Sequence, residues 1–177
     1  MDERDSALAE LGREIVAVAY LEGDFVLSSG RRSRYYLDKY LFETRPELLR
    51  GIARELAARL PAGVERIAGP ELGAVALAAA LSLETNLPFV ISRRESKEYS
   101  TSKTIEGELR PGERVVVVED VITTGAQAIK AAKRLRAAGA DVAGILGVID
   151  REEGGREAIE AAGFSFSAVF TRTSLGI

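Results

Sequence analysis

Hydrophobic and polar positions change their period several times along this 177-residue chain. Over residues 3–20 the apolar positions Leu8, Leu11, Ile15, Val16 and Val18 or Ala19 recur on one side of a 3.6-residue repeat, which predicts an amphipathic helix ending at Gly23-Asp24. Phe25-Val-Leu-Ser and Tyr35-Tyr-Leu-Asp then predict two short strands around the polar turn Ser29-Gly-Arg-Arg-Ser-Arg34. A second helix is expected from Thr44 to Leu60, with Thr44 as N-cap, Pro46 in the first turn, Glu47 three residues after the threonine, and Pro61-Ala-Gly63 as the stop. Beyond it the pattern alternates. Strands are expected at 66–69, 88–91, 114–118, 142–150 and 164–170, with helices at 71–84, 125–138 and 155–162 between them. Residues 93–112 read as a charged, irregular stretch. Strands alternating with helices imply an α/β fold, a mainly parallel sheet covered on both faces, with ligands at the carboxyl ends of its strands. The first 40 residues do not fit the alternation and are expected to cap that end.

The most informative segment is 115–127. Four consecutive valines, Val115–Val118, make a strand that has to be buried; Glu119 and Asp120 follow, then Val121, Ile122, Thr123, Thr124, Gly125, Ala126 and Gln127, and then a strong helix former. Read blandly, the acids merely suit the positive end of the coming helix. Neighbouring acids share one ligand where a strand gives way to a loop, however, and that is where this pattern places them. Two hydroxyls, a glycine able to take positive φ and the free N–H groups of a helix start are the parts of a monophosphate cradle. The carboxylates beside it can accept from sugar hydroxyls, directly or around a divalent cation.

Three further stretches carry polar chemistry. Ser92-Arg93-Arg94-Glu95-Ser96-Lys97-Glu98-Tyr99-Ser100-Thr101-Ser102-Lys103 follows a buried strand. It reads either as solvated surface or as a mobile lid whose cations neutralise a polyphosphate. The run from Ser29 to Tyr36 sets arginines beside two tyrosines, as a plain hairpin or as a clamp on a planar ring bearing a carboxylate. Asp150-Arg151-Glu152-Glu153 closes another buried strand, as a surface turn or with Arg151 aimed at the same crevice as Thr123.

Composition removes several function classes. The chain has no Cys and no His, so disulfides, thiolate chemistry, Ser-His-Asp catalysis and His-ligated zinc are all excluded. Any metal must sit among oxygens, which favours magnesium or a similar hard cation. Apolar residues at 46% and charged residues at 29% describe one globular domain, and a net charge of −3 argues against a protein that coats nucleic acid. The charged start Met1-Asp-Glu-Arg-Asp does not open a signal peptide, and no apolar run approaches the roughly 18 residues that span a bilayer. A cytoplasmic protein is the expectation.

Taken together, Val116–Gln127 resembles the phosphoribosyl-pyrophosphate signature of type I phosphoribosyltransferases. Ser29-Gly-Arg-Arg-Ser-Arg-Tyr-Tyr-Leu-Asp38, the Arg93–Lys97 lid, Ile105-Glu-Gly107 and Asp150-Arg151 narrow the resemblance to the orotate phosphoribosyltransferases, over roughly residues 10–172. The resemblance implies the type I phosphoribosyltransferase fold as a single domain over 1–177. Residues 1–42 would form a small N-terminal hood, and 43–177 an α/β core with a lid at about 93–104. It implies the magnesium-dependent reaction of orotate with phosphoribosyl pyrophosphate to give orotidine 5′-monophosphate and pyrophosphate, in pyrimidine synthesis. By the same resemblance Glu119 and Asp120 hold the ribose hydroxyls, and residues 121–127 the 5′-phosphate. Arg93, Arg94, Lys97 and Tyr99 meet the pyrophosphate, some across a homodimer. Thr123, Arg151, Tyr35 and Tyr36 serve orotate. Lys97 and Asp120 are the catalytic candidates. Magnesium would be held mainly by substrate and water, with Glu119 and Asp120 behind that water rather than as direct ligands.

The chain departs from the family pattern in places. Tyr99 stands where many members carry a lid histidine, and Ser100 and Ser102 where many have glycine. Some members have a lysine where Ser28 lies, and another near Gly73. Two other readings remain open at this level: a phosphoribosyltransferase for another base such as a purine, and a nucleotide-sensing regulator that keeps the fold.

Overall fold

The computed structural model describes residues 3–26, 30, 32–94 and 104–177. Lys97 and Tyr99, together with Ser29, Arg31, Ser100 and Ser102, lie outside the described residues. The element order is α1 (Glu3–Ala19), β1 (Tyr20–Val26), β2 (Arg32–Leu37), α2 (Lys39–Glu43), α3 (Pro46–Ala57), β3 (Arg66–Pro70), α4 (Gly73–Thr85), β4 (Phe89–Ser92), β5 (Ile105–Glu106), β6 (Arg114–Ile122), α5 (Ala126–Ala137), β7 (Asp141–Asp150), α6 (Gly155–Ala161), β8 (Phe166–Thr171) and α7 (Arg172–Leu175).

Six strands form one sheet in the order β5-β4-β3-β6-β7-β8, and β1 pairs with β2 in a separate antiparallel hairpin. Within the six-stranded sheet β5 alone runs antiparallel to its neighbour. Continuous valine and isoleucine runs suit this arrangement, because a sheet with helices on both faces leaves no face for polar residues. Val115 to Val118 are wholly buried, and they divide by face. Val116 and Val118 join a core with Leu11 and Ile15 of α1, Ile52 of α3 and Leu77 and Leu81 of α4. Val115 and Val117 join the opposite core with Ala131 and Leu135 of α5 and Ile159 of α6. The first helix is thus built into the main core through Leu11 and Ile15.

Several sequence expectations need correcting. The helix expected at 44–60 is shorter, α3 over Pro46–Ala57, and a separate five-residue helix, α2, ends just before it at Glu43. Pro46 disfavours helical backbone at the residue before it, and Arg45 is extended at φ −100°, ψ 116°. Arg45 therefore takes the N-cap position with no side-chain cap bond, while Thr44 ends α2 and its hydroxyl donates to the Tyr40 carbonyl at 2.5 Å. Gly23 and Asp24 do not end α1, which stops at Ala19; they lie within β1, where the register with β2 shifts between Glu22 and Phe25. Most consequentially, the strand carrying the acids does not give way at them. β6 continues to Ile122 because β7 keeps pairing with it, through Glu119↔Gly147, Val121↔Ile149 and Ile122↔Asp150.

At the opposite end of the sheet, Arg66 and Glu113 form a bidentate pair with both N···O distances 2.7 Å, and their side chains are only 6% and 10% exposed. Removing one partner of a buried ion pair leaves the other charge without its counterion. Glu113→Ala is expected to cost about 3 kcal/mol of folding stability, with activity at ambient temperature nearly intact because the pair is remote from the strand ends that gather the site. Urea unfolding checks this, and a change within the error of the extrapolation would refute it.

Candidate active site

The crevice forms where strand order reverses. From β3 the chain moves outward to β4 and then returns across the sheet to β6 on the other side, so β3 and β6 diverge at their carboxyl ends. Their recorded pairing stops at Ala68↔Val117, and β6 runs on past it. A cavity of about 560 Å³ opens there, lined by residues 119–128, Arg94, Arg151, Lys39 and, from the hairpin side, Val26, Tyr36 and Leu37.

Side-chain alternation along β6 slips across the acids. Val116 and Val118 face the α1/α4 side and Val117 the α5 side; strict alternation would then send Val121 to the α5 side, yet it packs on the α1/α4 side, and Ile122 on the other. This irregularity lets two consecutive carboxylates line one crevice from inside a paired strand. Asp120 is buried, and Lys39 Nζ stands 2.5 Å from its Oδ2. Its Oδ1 accepts the Val121 N–H at 2.6 Å. Glu119 Oε2 is buried with no hydrogen-bond partner. Burial and the neighbouring Asp120 push the Glu119 carboxyl up to about 8, against the pull of Lys39. Glu43, at the end of α2, is buried and reaches about 8 for the same reasons, burial first and Asp120 next.

The turn after β6, expected as a phosphate cradle, is shaped by glycine geometry. Gly125 has φ +71° and sits at the N-cap of α5, with no side chain bonded into the helix start. A Cβ on Gly125 would lie 2.9 Å from the Gly155 carbonyl, and one on Gly155 would lie 2.4 Å from Ile122 Cγ2 and 2.5 Å from the Thr123 carbonyl. Residues 122–125 are thus pressed against the first residue of α6 by two glycines. No threonine caps α5, so the N–H groups of its first turn are left for a ligand.

Arg151 closes the far side. It is buried, its N–H donates to the Ile122 carbonyl at 2.9 Å, and its Nε lies 2.9 Å from Glu153 Oε1. Its guanidinium stands 4.6 Å from the Tyr35 ring centre, and Tyr35 in turn stacks on Tyr20 at 5.4 Å. Of the two tyrosines, Tyr36 lines the cavity, whereas Tyr35 braces Arg151 from behind it. The base of the expected lid is anchored: Arg93 N–H donates to the Thr104 carbonyl, Arg94 N–H to Glu71 Oε1 at 2.7 Å, and Arg134 to the Arg94 carbonyl at 2.8 Å. Arg94 lines the cavity; Arg93 instead pairs with Glu71 and Glu106 at 3.9 and 3.7 Å.

Comparison with known proteins agrees with this geometry. Residues 44–171 match the phosphoribosyl transferase domain model. The orotate phosphoribosyltransferase of Methanocella arvoryzae is 46% identical over 171 residues, 97% of each chain. The chain belongs to the orotate phosphoribosyltransferase family. The family member from Pyrococcus horikoshii is 54% identical over 147 residues, 81% of this chain and 79% of that one. Among solved structures, Mycobacterium tuberculosis orotate phosphoribosyltransferase in complex with 5-phospho-α-D-ribosyl 1-diphosphate aligns with a TM-score of 0.80 at 31% identity, covering 97% of this chain and 99% of that one.

Two residues of this orotate phosphoribosyltransferase-family site were not expected from sequence: Lys39 and Glu43. A signal did exist for the first, since Lys39 is the only lysine before residue 97 in a chain that otherwise uses arginine there. Glu43 read as an ordinary helix residue. Among the described residues no three acidic side chains group to hold a metal ion, and no helix is long and apolar enough to cross a membrane.

The raised Glu43 carboxyl has a consequence for stability. Its pKa is about 8 in the fold against an ordinary 4.5, so the folded protein holds a proton that the unfolded chain releases. Stability from this group is full below the ordinary value and falls as pH rises toward 8. Glu43→Gln should flatten that decline and raise the melting temperature at pH 8 by roughly 2–4 °C, the shift that about 1 kcal/mol produces in a domain of this size. Calorimetric scans at pH 5.5 and pH 8 test it; an equal change at both pH values would show that Glu43 is not the titrating group.

Proposed function

We propose that this chain transfers the 5-phosphoribosyl group of phosphoribosyl pyrophosphate to orotate, releasing pyrophosphate and giving orotidine 5′-monophosphate, as a step of pyrimidine synthesis. The observation that carries this reading is the opposition of two features across one crevice: carboxylates at the end of β6 beside the uncapped start of α5, and the buried Arg151 facing them from β7. The first suits a phosphorylated sugar, and the second suits an anionic base.

In this reading Glu119 and Asp120 accept from the ribose hydroxyls, and Val121, Ile122, Thr123, Thr124, Gly125, Ala126 and Gln127 wrap the 5′-phosphate. Arg151 pairs with the orotate carboxylate beside Thr123, Tyr36 borders the ring, and Tyr35 steadies Arg151. The C1–oxygen bond to pyrophosphate breaks as a ring nitrogen of orotate bonds to C1. Positive charge builds on the ribose and faces the carboxylates, while negative charge builds on the leaving group and faces Arg93, Arg94, Lys97 and Tyr99 of the lid. The charge of orotate lies on its carboxylate, so the attacking ring nitrogen still carries a proton, which passes to the departing pyrophosphate as the bond to C1 forms. The unpartnered Glu119 Oε2 suits a hydroxyl or a water around a hard cation, and Asp120 already has both oxygens engaged. Magnesium, carried in by substrate and water, would neutralise the diphosphate as it leaves.

We further assign residues 1–42 as a hood within a single domain, a lid over about 93–104 and a cytoplasmic homodimer in which lid residues serve the partner's site. Leu41 of α2 and Leu83 of α4, exposed at 38% and 88%, are apolar surface that a second copy could cover.

Loss of orotate absorbance with phosphoribosyl pyrophosphate and magnesium, run beside adenine, guanine, hypoxanthine and uracil, tests the acceptor. Turnover of a purine and not of orotate would overturn the reading. Arg151→Ala should abolish preference for orotate, and Asp120→Asn should lower kcat/KM by at least about a hundredfold, the scale of a lost electrostatic contact in a transition state, with the fold retained by circular dichroism. For the lid, Lys97→Ala should reduce kcat far more than it changes KM; an intact rate would remove the lid from catalysis.

A further inference from the structure

We infer that Lys39 is a positioning residue of this site: it aims the Asp120 carboxylate at the ribose and lets the two acids Glu119 and Asp120 line one crevice side by side. The inference rests on the transfer reading above. Lys39 opens α2, a helix of only five residues whose N-cap Asp38 hangs from the Ala19 carbonyl. Its ammonium crosses to the sheet and meets Asp120 Oδ2 at 2.5 Å while the Val121 N–H holds Oδ1 at 2.6 Å. Both oxygens are thereby tethered, which fixes the plane of the carboxylate, and the Glu43 and Glu119 carboxyl groups also hydrogen-bond with Asp120.

The contact has a place prepared for it. A Cβ on Gly73, the first residue of α4, would lie 1.8 Å from Asp120 Oδ2 and 2.6 Å from Lys39 Nζ. Only bare backbone there lets the ammonium and carboxylate meet. The side chains are 23% and 3% exposed, so little water competes for the pair. The charged groups facing Lys39 are Asp120 and Glu119 from β6 and Glu43 from its own helix. Burial alone would lower the ammonium pKa, but those three carboxylates, Asp120 foremost, raise it above its ordinary value. One cation therefore offsets three acids, two of which are pushed up to about 8 even in its presence. Without it the same acids would hold protons to higher pH and would be poorer acceptors for the sugar.

Lys39→Met and Lys39→Arg separate positioning from simple support. In Lys39→Met, KM for phosphoribosyl pyrophosphate should rise at least about tenfold, as for a lost charged hydrogen bond. KM for orotate should hold within about twofold, since Arg151 is untouched. The acid limb of the kcat/KM profile should move to higher pH. Lys39→Arg keeps the charge but overfills the gap above Gly73, so its acid limb should stay in place while the phosphoribosyl pyrophosphate KM rises less. An unmoved limb and unchanged KM in Lys39→Met would overturn the inference, and so would a uniform loss at every pH for both substrates. If the methionine variant fails to fold by thermal melting, the arginine variant decides: lost kcat with unchanged KM for phosphoribosyl pyrophosphate would overturn it. Calorimetric titration of phosphoribosyl pyrophosphate into wild type and both variants keeps the two readings apart. A wild type that binds the sugar phosphate but transfers nothing to orotate refutes the acceptor, and Lys39 is then judged on binding affinity and its pH dependence alone.

Discussion

One strand has to be dry along its first half and wet at its end. β6 meets this demand by outrunning β3: valines fill both cores where it is paired on both sides, and acids appear where β3 no longer pairs with it. Everything in the site hangs from that overrun. β7 keeps the overrunning segment in register, so the acids are held by ladder hydrogen bonds and not by a loop. α5 then starts from a strand end already fixed in space, and Arg151 arrives at the same level from the next strand over. Binding groups supported by sheet and helix need little reordering when a ligand arrives, and that is where affinity is most easily lost.

Charge sets the second condition. Carboxylates gathered in a partly buried crevice repel one another and resist losing water, and the raised Glu43 and Glu119 show that cost within the fold. A highly anionic substrate would be repelled by the same acids were all of them charged. Partial protonation, the ammonium of Lys39, and the arginines at the lid base together bring the crevice nearer to neutral before any ligand enters. The positive end of α5 lies next to this cluster without a capping side chain, so its N–H groups remain available to an anion.

Much of this architecture was legible in residue order. The shift from helical period to buried strand, the β/α alternation and the glycine turn after Val115–Ile122 all follow from short-range rules, and Gly125 takes the positive φ that its place between threonine and alanine suggested. What escaped was set by partners distant in sequence. The slip of alternation at Glu119–Asp120 depends on β7 and on the early end of β3 pairing. Lys39 became informative only when α2 was placed against β6, a separation of 81 residues. The break at Arg45 was available locally, since a residue before proline resists helical backbone, but the capping pattern around Thr44 and Glu47 masked it.

The column of Tyr20, Tyr35 and Arg151 has a consequence beyond holding one side chain still. It joins the N-terminal hairpin to the arginine at the end of β7 through one contact, Arg151 over the Tyr35 ring, which Tyr20 backs from within the hairpin, with no sheet pairing between hairpin and β7. Whatever stiffens or loosens the hairpin must therefore alter the rotational freedom of that guanidinium. In the role proposed for Arg151, acceptor affinity and hairpin order become a single linked equilibrium, and a substitution at Tyr20, which is not among the crevice-lining residues, would be felt as a change in how tightly the base is gripped.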